Sequence, residues 1–159
     1  VHYIKIGGEC FSVDESTEKF EALAKDKFGG DYYALAKEYF SLVSDIANKT
    51  NADIIGHFDL ISKFNEGGRL FDENNERYKK YAYNAIEKLV KYGVPFEINT
   101  GAISRGYRKT PYPNADFIRK IENLGGKFIL SSDAHSVENL CFGFDSIKIN
   151  NINENFKAF

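Results

Sequence analysis

The sequence predicts an α/β fold in which parallel strands alternate with helices. Short apolar segments of strand character alternate with longer segments whose apolar residues recur at helical spacing. Glycines separate most of these segments, at positions 7–8, 29–30, 67–68, 93 and 125–126. Strands and helices that alternate in this way form parallel sheets with right-handed crossovers. The 159 residues fit a single domain over residues 1–159, and 43% apolar residues suffice for a buried core.

The first half of the chain contains two predicted strands and two predicted helices. Residues 1–6 indicate a strand that ends at Gly7 and Gly8. A first helix covers Thr17–Phe28, and a second begins after Asp31, a residue type suited to capping a helix N-terminus. Residues 53–57 are the second predicted strand. The apolar residues of the second helix have helical spacing: Leu35, Tyr39, Leu42, Val43 and Ile46.

The second half contains three further predicted strands and two helices. A long helix over residues 73–92 has Gly93 at a C-cap position, and a strand over 94–99 and a loop over 100–113 follow it. Asn114 precedes a helix whose expected inward residues are Phe117, Ile118, Ile121 and Leu124. Residues 127–131 are the fourth strand, and residues 146–149 are a weak fifth. Such strands fit a small open sheet or about half of an eight-stranded barrel, which takes about 250 residues.

Composition and charge exclude several classes of protein. The 21 basic and 23 acidic residues give a net charge of −2, whereas a general nucleic-acid binder would have a basic excess. No apolar segment approaches the roughly 18 residues of a membrane span, and the start has no signal-peptide pattern. We therefore expect no nucleic-acid partner, no membrane and a cytoplasmic location. The two cysteines are too few for a disulfide framework and are expected to be free thiols.

Three histidines stand within or directly after strand-like segments: His2, His57 and His135. The carboxyl ends of parallel strands open on one face, where sites are built, and imidazole is the commonest metal ligand. Asp133 lies two residues before His135, so both side chains point to one side on an extended backbone. A single histidine at a strand end is more often structural. The set of three beside Asp133 makes a shared metal site an equally good interpretation.

Other polar residues accompany these histidines. Asp59 follows His57 by two residues, and it is a loop or capping carboxylate, a metal ligand, or a partner of an imidazole N–H. Glu97 lies inside a predicted strand, where an acid is costly unless it is paired or faces a polar centre. We expect it to make a buried hydrogen bond or to support a metal ligand, rather than to bind a metal directly. Asn99, at the end of the same strand, is a candidate donor to an anion.

The loop after the third predicted strand is basic. It contains Arg105, Arg108 and Lys109, and it would overhang the face that holds the histidines. A guanidinium offers a planar pair of donors to phosphate oxygens. Arg105 is the first candidate for binding substrate and Arg108 the second, with a solvated basic loop as the alternative. The His/Asp set and this loop together indicate metal-assisted hydrolysis of a phosphate ester.

Four segments, in this order and spacing, resemble the histidinol-phosphatase branch of the polymerase and histidinol phosphatase (PHP) family. They are IGHFDL at 55–60, FEINT at 96–100, YP at 112–113 and SSDAH at 131–135. The opening Val1-His2 is similar to the Ser-Val-His segment of that family. The resemblance runs over nearly the whole chain, and the ordered set is more specific than any one segment.

The resemblance implies a distorted TIM-like (β/α)7 barrel, of which this chain is the C-terminal part. It implies two or three divalent transition metals, and nitrogen and oxygen ligands suit zinc, iron and manganese alike. The implied reaction is hydrolysis of L-histidinol phosphate, a small phosphorylated substrate, to L-histidinol and phosphate in histidine biosynthesis. Position by position, the implied metal ligands are His2, His57, Asp133 and His135. Arg105 matches an arginine that contacts substrate phosphate, and the implied catalytic residues are Asp133, His135 and Arg105.

The chain departs from the family pattern at its start. The family begins with a His-x-His strand and further His and Glu ligands, which are absent here. The chain begins with Val1 and contains no Met, so we expect a domain incomplete at its N-terminus. Two alternatives stay open: a catalytically inactive fragment or metal-binding module, and a phosphoesterase for another small phosphate ester. Open barrel edges would also favour self-association.

Overall fold

The computed structural model describes residues 1–147, which form helices around two small sheets. The strands are β1 (Tyr3–Ile6), β2 (Glu9–Ser12), β3 (Phe96–Asn99) and β4 (Phe128–Ser131). The helices are α1 (Thr17–Phe28), α2 (Tyr32–Ser44), α3 (Ile46–Thr50), α4 (Glu76–Val90), α5 (Gly101–Ser104) and α6 (Ala115–Asn123). Single 3-10 turns occur at Leu60–Ser62, Glu66–Gly68, Val137–Asn139 and Phe144–Ser146.

The predicted parallel pairing is present between β3 and β4. Phe96 pairs with Phe128 and Asn99 with Ser131, and α5 and α6 lie between the two strands in the chain. The strand predicted over residues 53–57 is reduced to one parallel bridge between Ile55 and Phe96. His57 has a φ of 26°, which takes the backbone out of the extended region directly after the bridge. The bridge still places His57 beside the carboxyl end of β3.

The first predicted strand does not join the parallel sheet. β1 forms an antiparallel hairpin with β2, in a register that pairs Tyr3 with Ser12 and Ile6 with Glu9. Gly7 and Gly8 form its two-residue turn with φ values of 58° and 92°, which glycine adopts at low cost. The expectation of parallel strands throughout was therefore wrong, because the short and mostly polar β2 gave no recognisable strand signal.

Aromatic side chains fill the core between the helices and the parallel sheet. Phe117 of α6 is fully buried, and its ring contacts those of Phe40, Phe58, Tyr78 and Tyr83. The helix begins where predicted, since Asn114 Oδ1 accepts hydrogen bonds from two backbone N–H groups of its first turn. Leu124, expected to point inward, follows the last helical residue and is 40% exposed.

Three further expectations concern the surface and the end of the chain. Among residues 1–147, no helix has both the length and the apolar character needed to cross a membrane. Cys10 and Cys141 are free and exposed, as predicted. Half of the fifth strand predicted over residues 146–149 lies outside the described residues, and in the described half Ser146 ends a 3-10 turn. The two described sheets have two strands each, so the barrel stays a prediction.

Candidate functional site

A cavity of about 370 Å³ lies at the carboxyl ends of β3 and β4, beside the Ile55 bridge. This is the end of a parallel sheet at which α/β proteins build their sites. Imidazole, carboxylate, amide, phenol and cationic groups all contribute to its walls. The lining residues are His2, Asp14, His57, Leu60, Lys63, Asn99, Ala102, Arg105, Tyr107, Tyr112, Asp133 and His135.

All the site residues predicted from the sequence, except Arg108, line this cavity. They come from separate parts of the chain: the start of the hairpin, the turn after Ile55, the end of β3, helix α5 and the turn after β4. They are His2, His57, Asn99, Arg105, Asp133 and His135. Their common location agrees with the expectation from strand ends, and their chemical roles stay predictions.

Two imidazoles face each other on one side of the cavity. The ring centroids of His2 and His57 are 4.8 Å apart, in an edge-to-face arrangement. His2 Nδ1 lies 2.9 Å from Asp14 Oδ2, and the backbone N–H of His57 donates to Glu97 Oε2 at 2.7 Å. Burial lowers the pKa of His57. Its Nδ1 is buried and has no hydrogen-bond partner within the described residues.

Arg105 binds Asp133 and approaches His135 in the same cavity. Its Nη1 donates to the backbone oxygen of Asp133 at 2.7 Å and lies 2.9 Å from His135 Nδ1. Its Nη2 donates to Asp133 Oδ2 at 2.8 Å. Burial alone would raise the pKa of Asp133, but the hydrogen bond and the charge of Arg105 bring it below its usual value.

Local backbone geometry brings these groups together. Asp133 has a φ of 47°, a value uncommon outside glycine, which turns the chain sharply after β4. Gly101, at the start of α5, lies against the arginine contact, because a Cβ there would be 2.9 Å from Arg105 Nη2 and from Asp133 Cβ. The side-chain oxygen of Asn99 accepts from the Gly101 N–H at 2.8 Å, which fixes the start of α5. Asn99 therefore orders the cavity wall, besides its predicted role as an anion donor.

Two residues of the cavity wall, Asp14 and Lys63, were not predicted from the sequence. Lys63 Nζ donates to the backbone oxygen of Asp14 at 2.7 Å, and it lies 4.6 Å from the centre of the Tyr107 ring. Asp14 reaches the cavity because it follows the hairpin strand β2, which was not predicted. Lys63 had no distinguishing signal, since it is one of several lysines in polar segments. The cavity thus has a second cation besides Arg105.

Arg108 lies behind the cavity rather than in it. Its guanidinium is buried and donates to Ser62 O at 2.6 Å and to Glu73 Oε1 at 3.0 Å. The expectation that it binds substrate therefore does not agree with its position. A buried guanidinium needs acceptors, and the carboxylate of Glu73, from a distant part of the chain, accepts from both of its terminal nitrogens. Charge pattern within the loop could not distinguish Arg108 from Arg105.

Asp59 is also behind the cavity, in a buried polar cluster. It is fully buried, and its Oδ2 accepts from the backbone N–H of Asn114 at 3.0 Å. Burial raises its pKa from 3.8 to about 7. Asp59 Oδ1, the hydroxyls of Tyr78 and Tyr112, and Arg108 Nε are buried without a hydrogen-bond partner in the described part of the chain. Asp59 is thus a structural carboxylate here, while Glu97 makes the predicted hydrogen bond.

The cavity does not fit a metal ion in this arrangement. Residues 1–147 contain no group of three or more His, Cys, Asp or Glu side chains placed to hold one. A catalytic zinc site, for comparison, uses three protein ligands. His2 and His57 lie on one side, whereas Asp133 is already bonded to the guanidinium of Arg105. The predicted donors therefore share a cavity without forming a ligand set.

Three curated proteins are similar to this chain. A "Probable histidinol-phosphatase" from Schizosaccharomyces pombe is 32% identical over 136 residues, which cover 85% of this chain and 42% of that protein. A "Probable histidinol-phosphatase" from Deinococcus radiodurans is 32% identical over 152 residues, or 93% of this chain and 50% of that protein. The "Histidinol-phosphatase" of Saccharomyces cerevisiae is 28% identical over 116 residues, which cover 60% of this chain and 34% of that protein. The chain thus spans half or less of the length of these relatives.

A solved structure from Listeria monocytogenes, provisionally named the histidinol phosphatase hisK, matches the chain with a TM-score of 0.77. The match covers 92% of this chain and 55% of that chain, at 18% sequence identity. The chain therefore has the fold of the corresponding part of that structure. It matches no protein-family model.

Proposed function

We propose that this chain is part of a phosphomonoesterase of the histidinol-phosphatase branch of the PHP family. The reaction is hydrolysis of L-histidinol phosphate to L-histidinol and phosphate, in histidine biosynthesis. The observation that carries the proposal is the one cavity that gathers His57, Asn99, Arg105, Asp133 and His135. The 32% identity to two proteins of that name supports it. The proposal includes a distorted (β/α)7 barrel, with this chain as its C-terminal part.

Cationic side chains provide the means to bind a phosphoryl group. Once the guanidinium of Arg105 leaves Asp133, it can present two parallel N–H donors to two phosphoryl oxygens, and Lys63 adds a second positive charge. Fixed positive groups stabilise the charge that develops on these oxygens as the ester bond breaks. His57 and His135 line the same cavity, and imidazole is a common general acid, so each is a candidate donor of the proton that the leaving alkoxide needs.

Metal dependence is a separate part of the proposal. The candidate metals are zinc, iron and manganese, and the candidate donors in this chain are His2, His57, Asp133 and His135. Because the described residues do not bring three donors together, the proposed centre requires additional ligands and a different position for Arg105.

Phosphate release from L-histidinol phosphate tests the proposal. We would measure it on the longest natural form of the protein and on residues 1–159 alone. Asp133→Ala is expected to lower kcat/KM of the natural form about a hundredfold or more, because it removes a charged group from the cavity. Asp26→Ala, an exposed change on α1, is the matched control and should leave turnover unchanged. Full activity of Asp133→Ala would overturn the assignment.

A second candidate is that residues 1–159 by themselves are catalytically inactive, as a fragment or metal-binding module. Two observations favour this: residues 1–147 contain no group of three metal donors, and Arg105 engages Asp133. Appreciable turnover of L-histidinol phosphate by residues 1–159 alone would exclude it.

The identity of the substrate is the most specific part of the proposal. Arg105 and Lys63 would attract any small phosphate monoester, and only similarity selects histidinol phosphate. A panel of small phosphate esters, compared by kcat/KM, would separate these possibilities. A higher value for another ester would replace the proposed substrate.

Location and assembly complete the proposal. We place the protein in the cytoplasm and propose that it self-associates through the free edge of β4. β4 pairs with β3 on one side, and no other strand among residues 1–147 pairs with it. An unpaired strand edge is a template for association. Sedimentation of residues 1–159 as a monomer at all concentrations would exclude self-association.

A further inference from the structure

Tyr107 is a partly exposed aromatic residue in the cavity wall, and the proposed reaction gives it no role. The residue is 41% exposed. We propose that its ring determines specificity by stacking against a planar, uncharged heteroaromatic group of the substrate, such as the imidazole of L-histidinol phosphate. The inference rests on the proposed function, because it adds a subsite for the organic part of the ester to the cavity that would bind its phosphoryl group.

Side-chain contacts hold the Tyr107 ring from one side. Lys63 Nζ lies over this ring, 4.6 Å from its centre, and also over the Phe64 ring at 5.2 Å. The rings of Tyr107 and Phe64 are nearly perpendicular, at 84°, with their centroids 6.1 Å apart. Lys63 therefore occupies the corner between the two rings and covers one face of Tyr107. A flat ligand group in the cavity would stack on the opposite face.

The backbone of Tyr107 and the Lys63 side chain are fixed as well. The Tyr107 N–H donates to the backbone oxygen of Ala102, in helix α5, at 2.9 Å. Lys63 Nζ donates to the backbone oxygen of Asp14 at 2.7 Å, and its side chain is only 18% exposed. A ring that is already ordered loses little conformational entropy when a ligand binds to it. Tyr107 is thus a preorganised surface for a flat group.

The cation on the covered face favours an uncharged partner on the other face. The face of an aromatic ring attracts cations, and in Tyr107 Lys63 already uses this attraction. A second cation on the opposite face would be repelled by the Lys63 charge. Two aromatic rings instead attract each other in offset or edge-to-face arrangements, which a neutral imidazole can adopt.

The ratio of kcat/KM for two phosphate esters tests the inference in the longest natural form of the protein. L-Histidinol phosphate and L-leucinol phosphate share the amino alcohol and differ in having an imidazole ring or a branched alkyl group. The assay is run at about pH 8, where an imidazole is uncharged. Tyr107→Leu is expected to lower the ratio about threefold to tenfold, because one aromatic pair is lost. Tyr107→Phe keeps the ring and should keep the ratio.

Tyr92→Leu is the matched control. Tyr92 is 44% exposed and is not among the residues that line the cavity, so the same substitution there should leave the ratio unchanged. An unchanged ratio in Tyr107→Leu would overturn the inference. An equal fall of kcat/KM for both esters would overturn it too, because Tyr107 would then only support the cavity wall.

Calorimetric binding of L-histidinol and L-leucinol to the same variants needs no turnover. The wild type and Tyr107→Phe should bind L-histidinol more tightly than L-leucinol, and Tyr107→Leu should lose this preference. A wild type that binds the two alcohols equally, or binds neither, would overturn the inference. Hydrolysis of neither ester by the wild type would instead overturn the proposed function, and the binding comparison would still decide the role of Tyr107.

Discussion

Replacing Asp59 with asparagine is expected to remove a large part of the pH dependence of stability below neutral pH. Asp59 is fully buried, with one oxygen bonded to the Asn114 N–H and the other without a partner among the described residues. Burial raises the pKa of its carboxyl from 3.8 to about 7 in the folded protein. Between these values the group is protonated when folded and ionised when unfolded.

The sign and size of the effect follow from proton release on unfolding. The stabilisation of the folded protein by the protonated Asp59 carboxyl is fully present below the pKa of Asp59 in the unfolded chain. It is lost as pH rises towards about 7, the pKa in the folded protein. Each pH unit in this window changes the free energy of unfolding by about 1.4 kcal/mol, so roughly three units give about 4 kcal/mol. Asparagine keeps an oxygen acceptor for Asn114 and does not titrate, so its own contribution is independent of pH.

Urea unfolding followed by tyrosine fluorescence or circular dichroism measures this directly. The free energy of unfolding is determined for wild type and Asp59→Asn at several pH values from about 4 to about 8. The wild type should lose stability relative to the variant as pH rises, by about 4 kcal/mol over the window. Asp26→Asn, an exposed change on α1, serves as the control. A wild-type minus Asp59→Asn difference that is constant with pH would refute the reasoning.

Two further predictions concern the core and the buried ion pair. Phe117→Ala should destabilise the protein by about 3–5 kcal/mol, because Phe117 is fully buried against four aromatic rings. Phe142 is 39% exposed, so the control Phe142→Ala should lower the free energy of unfolding far less. Thermal and urea unfolding would compare the two. Arg108→Ala should cost about 3–5 kcal/mol, since it leaves the Glu73 carboxylate without its buried partner. Adding Glu73→Gln should recover part of that loss in urea unfolding.

Local signals predicted the parts of the site that stand at strand ends. His57, Asn99 and Asp133 each follow a short apolar segment, and parallel neighbours bring such positions to one edge. The prediction of a shared location therefore needed only the order of strands and helices. The segment before His57 forms only a single bridge, from Ile55 to Phe96. That bridge is parallel, so it places His57 beside β3 as a full strand would.

Contacts between distant parts of the chain determine which residues of a loop reach the cavity, and the sequence did not predict these contacts. Arg105 and Arg108 are three positions apart in one basic loop, yet the first faces the cavity and the second is buried. The difference arises from Glu73, a residue far away in the chain. Asp14 was missed because β2 has too few apolar residues to indicate a strand. Tertiary contacts determine where a hairpin packs and which residue pairs with a buried charge. The spacing of apolar residues along the sequence does not predict either of them.

The walls of the cavity come from two separate sheets. His2 flanks the β1–β2 ribbon and Asp14 follows it, whereas the other polar walls belong to the parallel sheet and its loops. A two-stranded ribbon is marginal alone, so its docking depends on buried contacts such as those of Ile4 and Val13. We expect local opening of this ribbon to cost less free energy than unfolding of the whole domain. The integrity of the cavity is therefore a property of the native ensemble, set by how often the ribbon is docked.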